Sequence, residues 1–220
     1  MTLVEAVVVL CVIAFLLTLM LPTLSSSRCN KCQKISCANN LKQLGLAIKV
    51  WAGDNNDRYP TAVSTNSGGA LEWMTTPEAW RMFQVISNEA STPKIFYCPE
   101  DHWHARDATN FTDDLKDHLS YFIGIDATDS NTSSLLGGDD NFVNQGASVK
   151  PGLFTTASTA TFTWDNSRHT VEKDHAWIYL KKPACGNLLM ADGNVQAALN
   201  SDLTNYLSPT ALATNRLVIP

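Results

Sequence analysis

Residues 6–21 read AVVVLCVIAFLLTLML, sixteen positions of which only Thr18 is polar. With Met1 to Val4 added, about 21 residues span roughly 30 Å as a helix, enough to cross a bilayer core. The run is followed by Pro22, which removes a helix donor and predicts a kink or loosening there, and by Ser25-Ser26-Ser27. Within residues 1–27 the single charged side chain is Glu5; all 16 Lys and Arg, and all but one of the 21 Asp and Glu, lie beyond it. A mean hydropathy of −0.09 therefore averages an apolar stem with a polar head. The net charge of −5 lacks the basic face that nucleic-acid binding needs. A hydrophobic content of 45% with 17% charged residues excludes a disordered or collagen-like chain.

A signal peptide carries Lys or Arg before its apolar run and a small-x-small cleavage site after it. Here no base precedes Arg28, and Pro22-Thr23-Leu24-Ser25 follows the run. The reading that repairs this is a basic leader already removed, with Met1 as the processed N-terminus. A carboxylate inside an apolar helix costs a few kcal/mol unless it meets a cation or a proton, so Glu5 is a functional candidate. Its partner is an α-amine, its own or that of a neighbouring copy, in which case the pair sets axial register. The alternative is a Glu at the polar boundary of a simple anchor.

Beyond the stem, Ile35, Ala38, Leu41, Leu44, Ile48 and Trp51 recur at three- or four-residue intervals, one face of an amphipathic helix ended by Gly53-Asp54-Asn55-Asn56-Asp57. The pattern predicts one helical stem from about 2 to 52. Its parts are an apolar segment 1–27, an amphipathic segment 28–53 and a globular α+β head over 54–220. In the head, Thr75–Asn88 reads as a helix with Pro77 in its first turn. Lys94–Cys98, Leu119–Ile125, Ala160–Trp164 and Ala176–Leu180 read as strands. Leu188–Asn200 reads as a hairpin turning at Asp192-Gly193. Residues 126–151 are polar and glycine-rich, a surface loop. The fold expected is α+β, a long kinked helix with a small antiparallel-sheet head.

Met1-Thr2-Leu3-Val4-Glu5, the aliphatic run and Pro22 closely resemble the mature N-termini of type IV pilins and type II secretion pseudopilins. The resemblance implies leader removal by a prepilin peptidase, methylation of Met1, and residence in the inner membrane as a precursor. It also implies assembly by dedicated machinery into an extracellular or cell-surface helical polymer of copies of the chain, with Glu5 pairing to a neighbour's N-terminal amine. The family's frequent loosening glycine is absent, with Ala14 and Phe15 in its place, which moves any melting toward Pro22. The stretch CANNLKQLGLAIKVWAGDNNDRYP (37–60), Cys98-Pro99-Glu100-Asp101 and Met190-Ala191-Asp192-Gly193 are similar to a large group of bacterial pseudopilin-like proteins. On that resemblance Cys37 pairs with Cys98. The pseudopilin of a secretion system, a short-lived filament, is the alternative on the same scaffold. A membrane-anchored monomer with metal or redox work is the alternative from another class.

Cys11 in the apolar run reads as a small hydrophobe. Cys29 and Cys32 are left to bridge to Cys185 or to another subunit, and C-x₂-C-x₄-C (Cys29, Cys32, Cys37) is the spacing that would serve zinc or an iron–sulfur cluster instead. His102-Trp103-His104 beside Glu100, Asp101 and Asp107 is a transition-metal candidate or a solvated loop. Oxygen-rich clusters stand at 54–57 and at Asp139, Asp140 and Asn141; Asp139 and Asp140 are the better calcium candidates. Asn110 and Asn131 open glycosylation sequons. No nucleotide loop, nucleophile elbow or zinc-protease motif is present, and the five His (102, 104, 118, 169, 175) show no catalytic spacing, so the sequence reads as a non-enzyme.

Overall fold

The structure is a computed structural model that describes Glu5, Val9, Cys11, Val12, 30–104, 108–156, 160–165, 168–170, 184–207 and 216–219. The chain divides between Cys32 and Gln33 into two compact units. In the first, Glu5, Val9, Cys11 and Val12 are helical and exposed. Met1, Pro22 and Cys29 lie outside the described residues.

The expectation of one helical stem from about 2 to 52, kinked near Pro22, is corrected. The first helix described in full, α1, is Asn30–Asp54, and it is not apolar enough to be a lipid-facing element. The expectation of a transmembrane helix is corrected to this extent: among the described residues no helix is long and apolar enough to cross a membrane, and of the apolar run at 6–21 all but Val9, Cys11 and Val12 lie outside the described residues. The physical reason lies in what α1 packs against. Cys37, Leu41, Leu44, Ile48 and Trp51 form its buried stripe, while Ile35, expected on that stripe, is 59% exposed. The amphipathic face thus begins at Cys37, and each buried Leu or Ile contributes about 1.5–3 kcal/mol. Gly45 lets the sheet approach closely: a Cβ there would meet Leu189 Cδ1 at 2.9 Å. The helix closes where Asn55 Nδ2 donates to Trp51 O at 2.8 Å and Asn56 and Asp57 turn left-handed, at φ 59° and 55°.

The second unit is α+β with antiparallel sheets. In chain order the strands are β1 (Tyr121–Gly124), β2 (Leu135–Asp139), β3 (Phe142–Asn144), β4 (Ala147–Ser148), β5 (Gly152–Thr155), β6 (Phe162–Trp164), β7 (His169–Thr170), β8 (Ala184–Met190), β9 (Val195–Leu199) and β10 (Arg216–Ile219). The larger sheet runs β5-β10-β1-β2-β8, and β9 and β7 also pair with β8. Since β9 occupies one edge of β8 over Cys185–Leu189, β2 and β7 lie end to end along the other edge. A smaller sheet runs β4-β3-β6.

Alternation along the large sheet buries both its faces. Tyr121, Ile123, Leu136, Leu189 and Val218 join the core with α1, whereas Phe122, Leu135, Leu188, Met190 and Leu217 join a second core. That second core is closed by Phe142, Phe162 and Trp164 of the smaller sheet and by Leu203 and Leu207 of a later helix, Asn200–Leu207. The result is three layers with the large sheet in the middle.

Other local expectations change. The helix over Thr75–Asn88 is broken into a 3₁₀ turn (Leu71–Thr75) and two short helices, α2 (Arg81–Val85) and α3 (Ser87–Ala90). Thr76 Oγ1 accepts from Glu78 N at 3.2 Å, a local turn that competes with helix. Lys94–Cys98 is no strand, because Thr92 and Pro93 start a 3₁₀ helix over Pro93–Phe96. The loop expected over 126–151 contains β2, β3 and β4. The hairpin is present as β8–β9, with Gly193 left-handed (φ 89°) in a longer turn than two residues, since Met190 N bonds to Asn194 O at 2.9 Å. The strand expected at Ala176–Leu180 lies outside the described residues.

Candidate functional site

The seam where β2 ends and β7 begins against β8 collects charged side chains from three parts of the chain. Arg168, just before β7, has its side chain 2% exposed. Its Nη2 lies 2.5 Å from Asp101 Oδ2 and 2.5 Å from Asp140 Oδ1, and its Nη1 donates to Ser120 O at 2.8 Å. Asp101 also accepts from Ser120 Oγ and faces His104 Nδ1, both at 2.6 Å, and takes the backbone N–H of Trp103 at 2.9 Å. Burial works against the Asp101 carboxylate, but the hydrogen bond from His104 and the Arg168 charge hold it well below the usual range. The same hydrogen bond raises His104. Asp140 is pushed up, its burial outweighing Arg168 and His104. Two buried carboxylates are therefore met by the Arg168 guanidinium, with His104 as a second basic group beside both.

His169 forms the adjoining node, fully buried at the start of β7. Its Nδ1 bonds to Glu100 Oε2, and its Nε2 lies 3.2 Å from Asp139 Oδ2. Asp139 is anchored by Asn187, whose backbone N and Nδ2 donate to Oδ2 at 2.7 and 3.0 Å. Burial disfavours the imidazolium, yet the two carboxylates prevail and raise His169 to about 9. Two further sulfur contacts border this node. His169 Nε2 is 3.6 Å from Cys98 Sγ, and Cys185, the residue paired with His169 across β7 and β8, receives Lys34 Nζ at 2.8 Å.

The cysteines divide accordingly. Cys37 and Cys98 form a disulfide with Cα atoms 4.8 Å apart, joining α1 to the segment that carries Glu100 and Asp101. Cys185 is a buried free thiol and Cys11 an exposed one. Cys29 lies outside the described residues, as does the side chain of Cys32.

Asp139 and Asp140, the calcium candidates of the sequence, are placed among nitrogen donors. Calcium takes six to eight oxygen ligands, whereas these carboxylates face Asn187 N–H groups, His169 and Arg168, all nitrogen donors. Ligand atoms of Asp101, His104 and Asp140 come within 4.8 Å of one another, but Arg168 already occupies that centre as its cation. A metal would have to displace a guanidinium whose pKa the same carboxylates raise. His102 is exposed and takes no part, and Asp107 lies outside the described residues. The cluster at 54–57 serves as the end of α1. Asn110 is exposed, its Oδ1 accepting from Thr112 N at 2.9 Å, and Asn131 stands in the turn before β2.

Above the seam, Trp103 is 72% exposed. It borders a groove of about 730 Å³ with Trp80, Asp117, Pro151 and Leu153, and an adjoining cavity of about 260 Å³ reaching Asp140, Asp165 and Arg168. Arg168 and His169 carry no motif in the sequence, and neither do Ser120 and Asn187; they become a site only through the end-to-end placement of β2 and β7. Searches of family models, of curated proteins and of solved structures found no match to this chain.

Proposed function

We propose that the chain is a structural subunit of an extracellular filament of the type IV pilus kind, held together through its apolar N-terminal segment and carrying the α+β unit as its head. The observation that carries the reading is the surface around the segment's single charge. Val9 and Val12, 50% and 52% exposed, stand in helical conformation with exposed Glu5 and Cys11, in a run of sixteen residues with one polar member. Apolar surface of that kind is an association surface, and covering it with copies of the same segment contributes roughly 25 cal/mol per Å². Glu5 acts on specificity. Its desolvation cost leaves little net stabilisation, but only registers that bring a positive group of a neighbouring copy alongside it are tolerated.

The head suits the part. Residues 33–220 close their own core, so assembly can leave the head's fold unchanged. The Cys37–Cys98 bond is the kind that persists outside the reducing cytoplasm. The test is Glu5→Ala, scored by filaments sheared from cells and by the amount of folded chain. The expected result is a normal amount of chain with filament yield lowered at least tenfold. Filaments at wild-type yield and regularity would refute the role given to Glu5.

A further inference from the structure

We infer that the groove and the cavity bordered by Trp103 form one binding cleft for a neutral oligosaccharide, with the indole as its stacking platform. The two hollows, about 730 and 260 Å³, share Trp103, His104, Pro151 and Ile219 in their walls, so one continues into the other. Concave sites of this size with a few convergent polar groups are where small ligands bind. The inference concerns the head alone and stands whether or not Glu5 directs assembly.

Trp103 is the most exposed large apolar side chain among the described residues. Its backbone is fixed from below. Asp101 Oδ1 accepts from Trp103 N at 2.9 Å and from His104 N at 3.3 Å, and Asp101 is itself held by Arg168 and Ser120. The buried Arg168 cluster is thus the foundation of an exposed ring, and a residue anchored in advance loses little freedom when a ligand settles on it. A sugar ring offers such a surface a face of C–H groups, with hydroxyls around its rim. Covering the indole with that face removes a large apolar area from water.

The polar lining selects the class of ligand. Around the two hollows Lys116, His104 and Arg168 are matched by Asp117, Asp140 and Asp165, three basic groups against three acidic ones. A lining balanced in formal charge holds out no excess counter-charge to a phosphate, a polyanion or a cation. It does set donors and acceptors side by side, as Arg168 and Asn141 are in the smaller cavity, and hydroxyls both donate and accept. That cavity has the volume of about nine waters at roughly 30 Å³ each, room for one hexose ring. The larger groove, with Thr75, Thr76 and Trp80 in its wall, takes the rings that follow.

The experiment passes the full-length chain, detected by antibody, over an array of printed neutral, sialylated and sulfated glycans, beside Trp103→Ala and Trp103→Phe chains. The expected result is retention of the wild type on neutral oligosaccharides in preference to the acidic ones. Calorimetry with one retained glycan should then show binding that Trp103→Ala weakens by about thirtyfold, the scale on which truncating a central tryptophan acts. Trp103→Phe keeps a flat ring and should recover most of that loss, which decides the matter even where the Ala chain unfolds early. Retention on no printed glycan overturns the inference, as does retention confined to the acidic glycans, or equal binding by wild type and Trp103→Ala. None of these readouts depends on filament yield.

Discussion

Raising the pH should unlock the seam through His169 before it affects the rest of the head. The group's pKa in the fold is about 9, against an ordinary imidazole value near 6.5. Because the folded value is the higher one, the folded state binds the proton more tightly. Its contribution is fully present below about pH 6 and is lost as pH rises through 9. At about 1.4 kcal/mol for each tenfold difference in proton affinity, the loss is about 3 kcal/mol. His169, Asp139 and Glu100 are all buried, so solvent does little to screen the interaction. The assay is urea unfolding of wild type and His169→Gln at constant ionic strength from pH 6 to pH 10. Gln keeps a hydrogen-bonding side chain and removes the titration. Taking the difference between the two proteins cancels lysine, tyrosine and thiol titrations common to both. The wild type should lose its advantage by about 3 kcal/mol across that range, with half of the loss reached near about pH 7.8 and nearly all of it by about pH 9. A difference that is flat, or that grows with pH, would refute the assignment of an imidazolium between Glu100 and Asp139.

Two further outcomes follow from the same region. Replacing Cys37 and Cys98 together by Ser opens a loop with a sequence separation of 61 residues; the chain-entropy relation puts the cost at about 4 kcal/mol, read from the urea midpoint at pH 7. An unchanged midpoint would mean that α1 is held without the covalent tie. Arg168→Met should cost about 3–5 kcal/mol by leaving Asp101 and Asp140 buried without their cation. Adding Asp101→Asn and Asp140→Asn should recover much of that loss, and thermal unfolding that shows no recovery would show that packing, not charge, is what Arg168 supplies.

Local chemistry made some elements legible in advance. The three- and four-residue recurrence from Leu41 to Trp51 gives α1 its buried stripe, and the aromatic and β-branched run at Tyr121–Ile123 gives β1. Gly137 and Gly138 misled because glycine pairs are turn signals, yet here they sit in a central strand. A Cβ on Gly138 would meet Asn187 O at 2.8 Å and the Phe122 ring at 2.9 Å, so the strand needs glycine to fit between its neighbours. The apolar run at 6–21 suggested continuity with α1, but hydrophobicity alone does not say where one packed unit ends and the next begins. The site was the least legible part. Asp101 with His104, and Asp139 with Asp140, stand out as separate acidic or histidine clusters, each inviting a metal. Arg168 and His169, some thirty residues further on, turn them into ion pairs. Only long-range strand pairing brings those residues together, and no local pattern encodes it.

The disulfide also has a mechanical meaning. A pull on the head arriving from the N-terminal end travels along α1 only to Cys37 and there crosses directly to Cys98. The chain between them, a separation of 61 residues, is shunted out of the load path. Fully extended, that stretch would be on the order of 200 Å long. While the bond stands, this slack is locked away and α1 transmits tension to the Pro99–Asp101 corner beside the Arg168 cluster. Reduction would turn a stiff coupling into a long tether.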